Sequence, residues 1–321
     1  MNKHICIWKF IKESLQQKIP VMLLYVLESS GSSPGRQGFF MAVNANKEME
    51  GSIGGGIMEH KFVEMASDQL QAISYKPQVK HQIHDKAAGK NQSGMICAGE
   101  QTILLYRVQE NDSSYIEKLI SSLEQSKNGT LNLSPQGILF RDILPTKDFE
   151  FNLNTEEDWI YKEKIGYKNH LYIIGGGHCA LAFSKMMGMM DFYIHLFEDR
   201  EGLNTMEANN YVHQKTIVKD YSELSQLIPS GENNYVVIMT FGYRTDDMAI
   251  RALMQKQFKY FGLLGSKKKI EKMFTDYRNE ELSEDALKKI HSPIGIQIKS
   301  QTPEEIAISI AGEIIKVKNE C

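Results

Sequence analysis

In the stretch LYIIGGGHCALAF, residues 171–183, four apolar residues run into three glycines and then into a helix-like apolar pattern. Gly175, Gly177 and Ala180 have the G-x-G-x-x-A spacing of a phosphate-holding turn, with Gly176 and His178 inside it. The first glycine permits a sharp strand-to-helix turn, the second lets main-chain N–H groups approach an anion, and the small alanine lets helix and strand pack closely. Unpaired amides at the helix start then face the phosphate. The acidic pair Glu198 and Asp199 follows where a second strand should end. That is about twenty residues on, the distance at which a carboxylate meets a ribose hydroxyl. The pattern predicts a Rossmann fold. NAD(P) is one ligand such a turn would take, although folds of this kind are reused for unrelated ligands.

Other glycine clusters offer similar chemistry. GSIGGGIMEH, residues 51–60, also opens a helix, and the amides of Gly54, Gly55 and Gly56 are placed to form an anion-binding nest. Nearby, GSSPGRQG supplies Ser32, Ser33 and Arg36, whose guanidinium can fork onto a phosphate or carboxylate. The alternative is a pair of turns with a solvated arginine. YFGLLGSKKK places Gly265, Ser266 and Lys267 at a further strand-to-helix transition, with Lys267 the best placed of its three lysines. That transition falls on the carboxyl edge of the expected sheet, where ligands of such folds settle.

Cys97, in SGMICAGEQ, lies in a small-residue turn that a reagent or metal can reach, whereas Cys179 sits inside the first Rossmann helix. His81 and His84 have helical spacing for a metal pair, but the surrounding strand-like sequence splays them and no third ligand is evident. His291, in HSPIGIQI, belongs to a rigid approach loop. No convincing set of nucleophile, base and orienting group appears.

The elements that must position these residues fall into two patterns. Ile5, Trp8, Ile11, Leu15 and Ile19 recur on one helical face. VMLLYVLES, FFMAVN and QTILLYRV then read as strands, and IMEHKFVEMASDQLQAI as a helix with Ile57, Val63, Leu70 and Ile73 among its apolar positions. A second helix spans SYIEKLISSLEQ, and residues 128–168 read as a polar, mixed linker with short strand-like pieces. From His170 the chain alternates strands (LYII, DFYIHLF, YVVIMT, YFGLLG) with helices, the mark of a parallel sheet wound on both faces. The methionines of KMMGMMD read as core filling. Thr302, Pro303 and Glu305 form a helix start with its capping box. The expected organisation is therefore α/β: an N-terminal mixed-sheet domain over 1–165, linker included, and a Rossmann-like domain with a doubly wound parallel sheet over 166–321.

Composition sets outer bounds. The 321 residues are 42% hydrophobic and 24% charged, with a net charge of -3. That removes the electrostatic case for nucleic acid. No apolar run approaches a membrane span, and the opening residues are too charged for an export signal. Cys6, Cys97, Cys179 and Cys321 stand far apart without a C-x-x-C pair, so a cytoplasmic setting without disulfides is the expectation.

Taken in order, GSSPGRQG, GSIGGGIME, GMICAGE, IIGGGHCA, FEDR, YFGLLGSKKK and HSPIGIQIKSQTPEEIAISIAGEI resemble the XdhC/CoxI family. These are accessory proteins of xanthine dehydrogenase and related molybdenum hydroxylases. The resemblance implies a homodimeric protein that binds the molybdenum cofactor (molybdopterin), guards it during sulfuration by a cysteine desulfurase, and hands it to an apo-hydroxylase. It makes Cys97 a ligand or sulfur carrier for molybdenum, a metal suited to sulfur-rich surroundings. Two positions depart from the family pattern. Ala98 stands where the family has glycine, and Phe241-Gly242-Tyr243 replaces a histidine-containing segment, leaving Thr240 at the strand end with Asp246 or Asp247 as a nearby acid. The resemblance implies an insertion factor without turnover. The alternatives are an NAD(P)-dependent oxidoreductase and a nucleotidyltransferase that modifies the cofactor.

Overall fold

The structure, a computed structural model, describes residues 3–84 and 99–320. The chain divides into two compact units, Met1–Gly166 and Tyr167–Cys321.

The first unit opens with α1 (Lys3–Gln16), whose Ile5, Trp8 and Ile11 are buried at helical spacing. Five strands follow: β1 (Val21–Gly31), β2 (Phe40–Asn44), β3 (Met49–Gly51), β4 (Gln78–Ile83) and β5 (Gly99–Arg107). They pair in the order β3-β2-β1-β5-β4, and every pairing is antiparallel rather than mixed as expected. Central β1 is apolar at successive positions because both its faces are covered. Met22, Leu24 and Val26 pack with α2 (Gly56–Gln71), while Leu23, Tyr25 and Leu27 join the core of α1 and α3 (Ser113–Glu124).

The buried stripe of α2 is Met58, Phe62, Ala66 and Leu70, at spacings of four. Ile57 lies a third of a turn away from it and Ile73 lies beyond the last helical residue, so both are exposed, contrary to expectation.

Residues expected to form a polar linker build a second sheet instead. β6 (Gly129–Ser134), β7 (Gly137–Arg141), β8 (Phe149–Thr155) and β9 (Asp158–Ile165) pair antiparallel in the order β7-β6-β9-β8. The inward row of β9 is Trp159, Tyr161, Glu163 and Ile165. A carboxylate in that row disguises the period-two pattern. Glu163 is buried because it accepts the hydroxyls of Tyr25 and Tyr161, each at 2.7 Å.

The second unit alternates as expected. Its strands are β10 (Asn169–Ile174), β11 (Phe192–Glu198), β12 (Gln214–Ile217), β13 (Gly231–Ile238) and β14 (Phe258–Leu263). All pair parallel in the order β12-β11-β10-β13-β14. On one face, Leu171, Ile173 and Leu196 pack with α4 (His178–Met187), the short α5 (Asn204–Glu207) and, near the C-terminus, a long helix over Pro303–Asn319. On the other face, Ile174, Val236 and Ile238 pack with the helices that follow β12, β13 and β14. Those helices are α6 (Leu224–Leu227), α7 (Tyr243–Leu253), α8 (Lys267–Asn279) and α9 (Glu284–Lys288), which makes the C-terminal helix α10. Thr302 caps α10, with Pro303 in its first turn and Glu305 closing the capping box. Of the methionines after α4, Met189 is exposed rather than core-filling; it lines an apolar groove of about 770 Å³ with Leu181, Met186 and Tyr211. Among the described residues, no helix is long and apolar enough to cross a membrane.

Burial, then the neighbouring His170 and His213, depresses the β11 imidazole of His195 to about 4. The folded chain thus refuses a proton that the unfolded chain takes up near 6.5, so this contribution to stability is complete above 6.5 and is lost as pH falls toward 4. His195→Phe should melt with a smaller drop in Tm than the parent between pH 7 and 4.5, measured by circular dichroism; parallel curves would contradict the assignment.

Candidate functional site

The strand order of the second unit reverses between β10 and β13, and in such sheets the crevice for a ligand opens at the carboxyl ends of these strands. The glycine turn lies there. Gly175 has φ +103°, and a Cβ on it would sit 2.5 Å from the Met239 carbonyl oxygen, so only glycine allows the two loops to cross. Gly176 is tied on both sides: its N–H donates to Glu198 Oε2 at 2.6 Å, and its carbonyl accepts from Thr205 Oγ1 at 2.6 Å. Gly177 forms the N-cap of α4 without any side-chain cap, and a Cβ there would meet nothing within 4 Å. His178, first residue of the helix, is exposed. The amides left to face an anion are therefore those of the first turn of α4, and the Gly176 amide is excluded from that set.

Glu198 does not wait for a ribose hydroxyl, as the spacing suggested. It is fully buried, and besides Gly176 it accepts from Arg200 Nε at 2.6 Å and Nη2 at 3.1 Å. Burial alone would raise its carboxyl, but the Arg200 guanidinium and the Gly176 amide outweigh that and hold it below the ordinary range. Asp199, half-buried, moves the other way: burial and the adjoining Glu198 push it up. The Arg200 guanidinium carbon lies 5.8 Å from the centre of the Phe241 ring, on the loop after β13.

Thr240 follows the end of β13 and starts a buried polar cluster. Its Oγ1 donates to Asp246 Oδ1 at 2.5 Å and lies 2.6 Å from Thr245 Oγ1. Asp246 is fully buried and ion-paired with Lys269, yet burial still holds its carboxyl above the usual value. Lys267, expected to be the functional lysine, points to solvent; the residue turned inward is Lys269, one helical half-turn on. Ser266 caps α8 by accepting the Lys269 N–H at 3.3 Å, next to half-buried Gly265. Spacing alone could have singled out Lys269, since it is the lysine one turn before the apolar Met273 of the inward face. His291 stacks on Tyr260 at 4.5 Å and faces Glu313.

In the first unit the two glycine loops form one structure. Gln101 donates to the carbonyls of Gly35 at 2.9 Å and Ile53 at 3.2 Å, and His84 Nε2 lies 2.8 Å from its Oε1. Because the Gln101 amide nitrogen serves both carbonyls, its oxygen is the acceptor and His84 the donor. His81 instead faces solvent beside Glu100, so the histidine pair is split as the strand requires. The expected nest is occupied by the chain itself: Glu59 Oε2 accepts the N–H groups of Ile53 at 2.9 Å and Gly55 at 3.0 Å, while Gly54 N–H goes to Ser52 Oγ. Gly55 and Gly56 have φ of +75° and +71°, which turns the chain into α2. Arg36 is exposed and braces its own loop through the Gly31 carbonyl at 2.8 Å. The Gly54 and Gly55 amides do not stand bare for an outside anion, whereas Arg36 spends only one of its N–H donors on the loop. Cys97 lies outside the described residues, and among the described residues no group of three or more His, Cys, Asp or Glu side chains could hold a metal.

Three substitutions test this geometry by urea denaturation. Gln101→Leu strands the buried Ile53 carbonyl, leaves Gly35 only the Ser33 hydroxyl, and should cost about 2–3 kcal/mol. Lys269→Ala leaves the Asp246 charge without its partner and should cost about 3 kcal/mol, with Lys267→Ala within about 0.5 kcal/mol of the parent. Equal effects of the two lysine changes would refute the inward placement of Lys269.

Comparison with known proteins agrees with this architecture. The profile described as the XdhC Rossmann domain matches residues 171–314, and that of the XdhC and CoxI family matches residues 14–76. The Escherichia coli protein YqeB is 24% identical over 95% of this chain, which spans 44% of the length of YqeB. A Bacillus subtilis protein described as a probable subunit of xanthine dehydrogenase is 21% identical, with 95% of each chain covered. The crystal structure of a protein described as a xanthine dehydrogenase from Bacillus halodurans superposes with a TM-score of 0.69 at 19% identity, covering 97% of this chain and 95% of the other, a likeness of fold. With both profiles matched in order on the two units, the chain belongs to the XdhC and CoxI family.

Proposed function

We propose that this chain is an accessory protein that binds the molybdenum cofactor and delivers it, after sulfuration, to a molybdenum hydroxylase of the xanthine dehydrogenase type. Membership of the XdhC and CoxI family, with a relative described as a probable xanthine dehydrogenase component, supports the partner class. The observation that carries the ligand class is the uncapped start of α4 behind Gly177, at the reversal of strand order. The cofactor is cargo here, a pterin bearing one phosphate and a metal held by two sulfurs. First-turn amides of α4 suit the phosphate, and Arg200, fixed by buried Glu198 at the end of the neighbouring strand, adds the N–H donors that Glu198 leaves unused. The metal end is assigned to Cys97, as the family resemblance implies. A cysteine desulfurase as sulfur donor and a homodimeric assembly complete the proposal.

The commitment of Glu198 to Gly176 and Arg200 weighs against a nicotinamide dinucleotide held through its ribose. Anaerobic gel filtration of the purified protein with molybdenum cofactor released from a hydroxylase should show co-elution at fixed stoichiometry and transfer to the apo-enzyme. Gly177→Val, whose Cβ meets nothing within 4 Å in the fold while the side chain shields the α4 amides, should lose at least about tenfold in cofactor retention. Micromolar NAD(P)H binding without cofactor retention would replace this reading with an oxidoreductase. Magnesium-dependent consumption of a nucleoside triphosphate would replace it with a modifying enzyme.

A further inference from the structure

The loop that departs from the family pattern holds the most exposed aromatic residue among those described in the second unit. Phe241 is 90% exposed and lies just past the carboxyl end of β13, one of the two strands between which the strand order reverses. Burial gives no reason for a phenyl ring there, since its exposed surface contributes nothing to the core. A single exposed apolar side chain is ordinary on a protein surface. Two further facts set this one apart. The Arg200 guanidinium, from the end of β11, reaches over its ring at 5.8 Å. That guanidinium is not a loose surface group, because Nε and Nη2 are both bonded to the buried Glu198 carboxylate, which in turn holds the Gly176 amide of the glycine turn. β11 and β13 flank β10 directly, so the loops that carry the guanidinium and the ring leave the sheet on either side of the strand that ends in the glycine turn.

We infer that Phe241 is a stacking platform for a planar heteroaromatic ring that carries a phosphate, with Arg200 as the cationic wall beside it. The phenyl offers a flat apolar surface that any such ring can stack on, and such stacking changes affinity substantially without demanding a particular hydrogen-bond pattern. Arg200 supplies donors to the polar edge of the ring or to the phosphate, and its attraction for the phenyl face keeps the platform in place. The glycine turn between them sets the phosphate a short distance from the ring. Two sources share this chemistry, a phosphorylated pterin and a guanine nucleotide, because both rings present the same amino-oxopyrimidine edge. The inference rests on the reading of the crevice as a phosphate-ligand site and names the residue that recognises the ring.

The full-length chain is titrated by calorimetry with GMP, with a monophosphorylated pterin, and with ribose 5-phosphate, which has the phosphate and no ring. Phe241→Leu keeps an apolar side chain and removes the π face. It should weaken GMP or the pterin phosphate, whichever binds, by about tenfold or more, leaving ribose 5-phosphate unchanged. Phe241→Trp should retain binding within about threefold of the parent, since the larger ring also stacks. A Phe241→Leu protein that binds the ringed probes as the parent does overturns the platform, as does an equal loss for ribose 5-phosphate, and so does failure of the parent to bind either ringed probe. Preference for the pterin phosphate over GMP assigns the pterin source, and the reverse assigns the nucleotide. Cofactor co-elution separates this from the carrier proposal. If the parent retains molybdenum cofactor and Phe241→Leu does so equally, the platform fails and the carrier stands. If the parent retains none but binds GMP through Phe241, the carrier fails and the platform stands.

Discussion

The buried carboxylate of Glu198 holds together everything at the carboxyl edge of the Rossmann sheet. One oxygen takes the Gly176 amide, fixing the glycine turn at the end of β10; both take the Arg200 guanidinium, fixing a cation at the end of β11. A charge with no exposed surface persists only where bonds of this kind offset its loss of water. Its burial therefore indicates a preorganised site, in which the turn and the cation keep their positions without a ligand to order them. Because the Gly176 amide is already committed, the main-chain donors that lack a side-chain cap lie one step along the chain, in the first turn of α4.

A comparable arrangement stands beside it. Asp246, buried under Thr240, is matched by Lys269 from the start of α8, so the ends of β13 and β14 are joined by charge as those of β10 and β11 are. The first unit follows the same rule with a neutral amide and a single carboxylate. There Gln101 clasps the carbonyls of two glycine loops, and Glu59 fills the amide nest that those loops create. Polar groups that short loops cannot satisfy by themselves are satisfied by one long side chain reaching in from a neighbouring strand or helix.

Much of the fold could be read from the sequence. The alternation of short apolar runs with amphipathic helices beyond His170 foretold the parallel sheet, and the capping residues Thr302, Pro303 and Glu305 foretold the start of α10. Residues 129–165 were less legible, because Glu163 occupies an inward position of β9 and the alternation that marks a strand is interrupted by the charge. The hydroxyls of Tyr161, on the same strand, and of Tyr25, from a strand 138 residues earlier, make that position tolerable. The all-antiparallel pairing around β1 was hidden for a related reason. A strand apolar on both faces reports that it is covered twice and says nothing about the direction of its neighbours.

Local chemistry, then, was decided by the sequence alone: which segments turn, which helices start where, and that glycine must occupy position 175. The allocation of donors and acceptors was decided only by the tertiary structure. Spacing placed Glu198 near a ribose, Lys267 near a phosphate and the Gly54–Gly56 amides around an anion; folding gave the first to Gly176 and Arg200, turned Lys269 inward in place of the second, and in the third gave the Gly54 amide to Ser52 and the Gly55 amide to Glu59. Spacing along a chain states what a group can bond, whereas burial forces each polar group to find a partner among whatever the fold brings within about 3 Å.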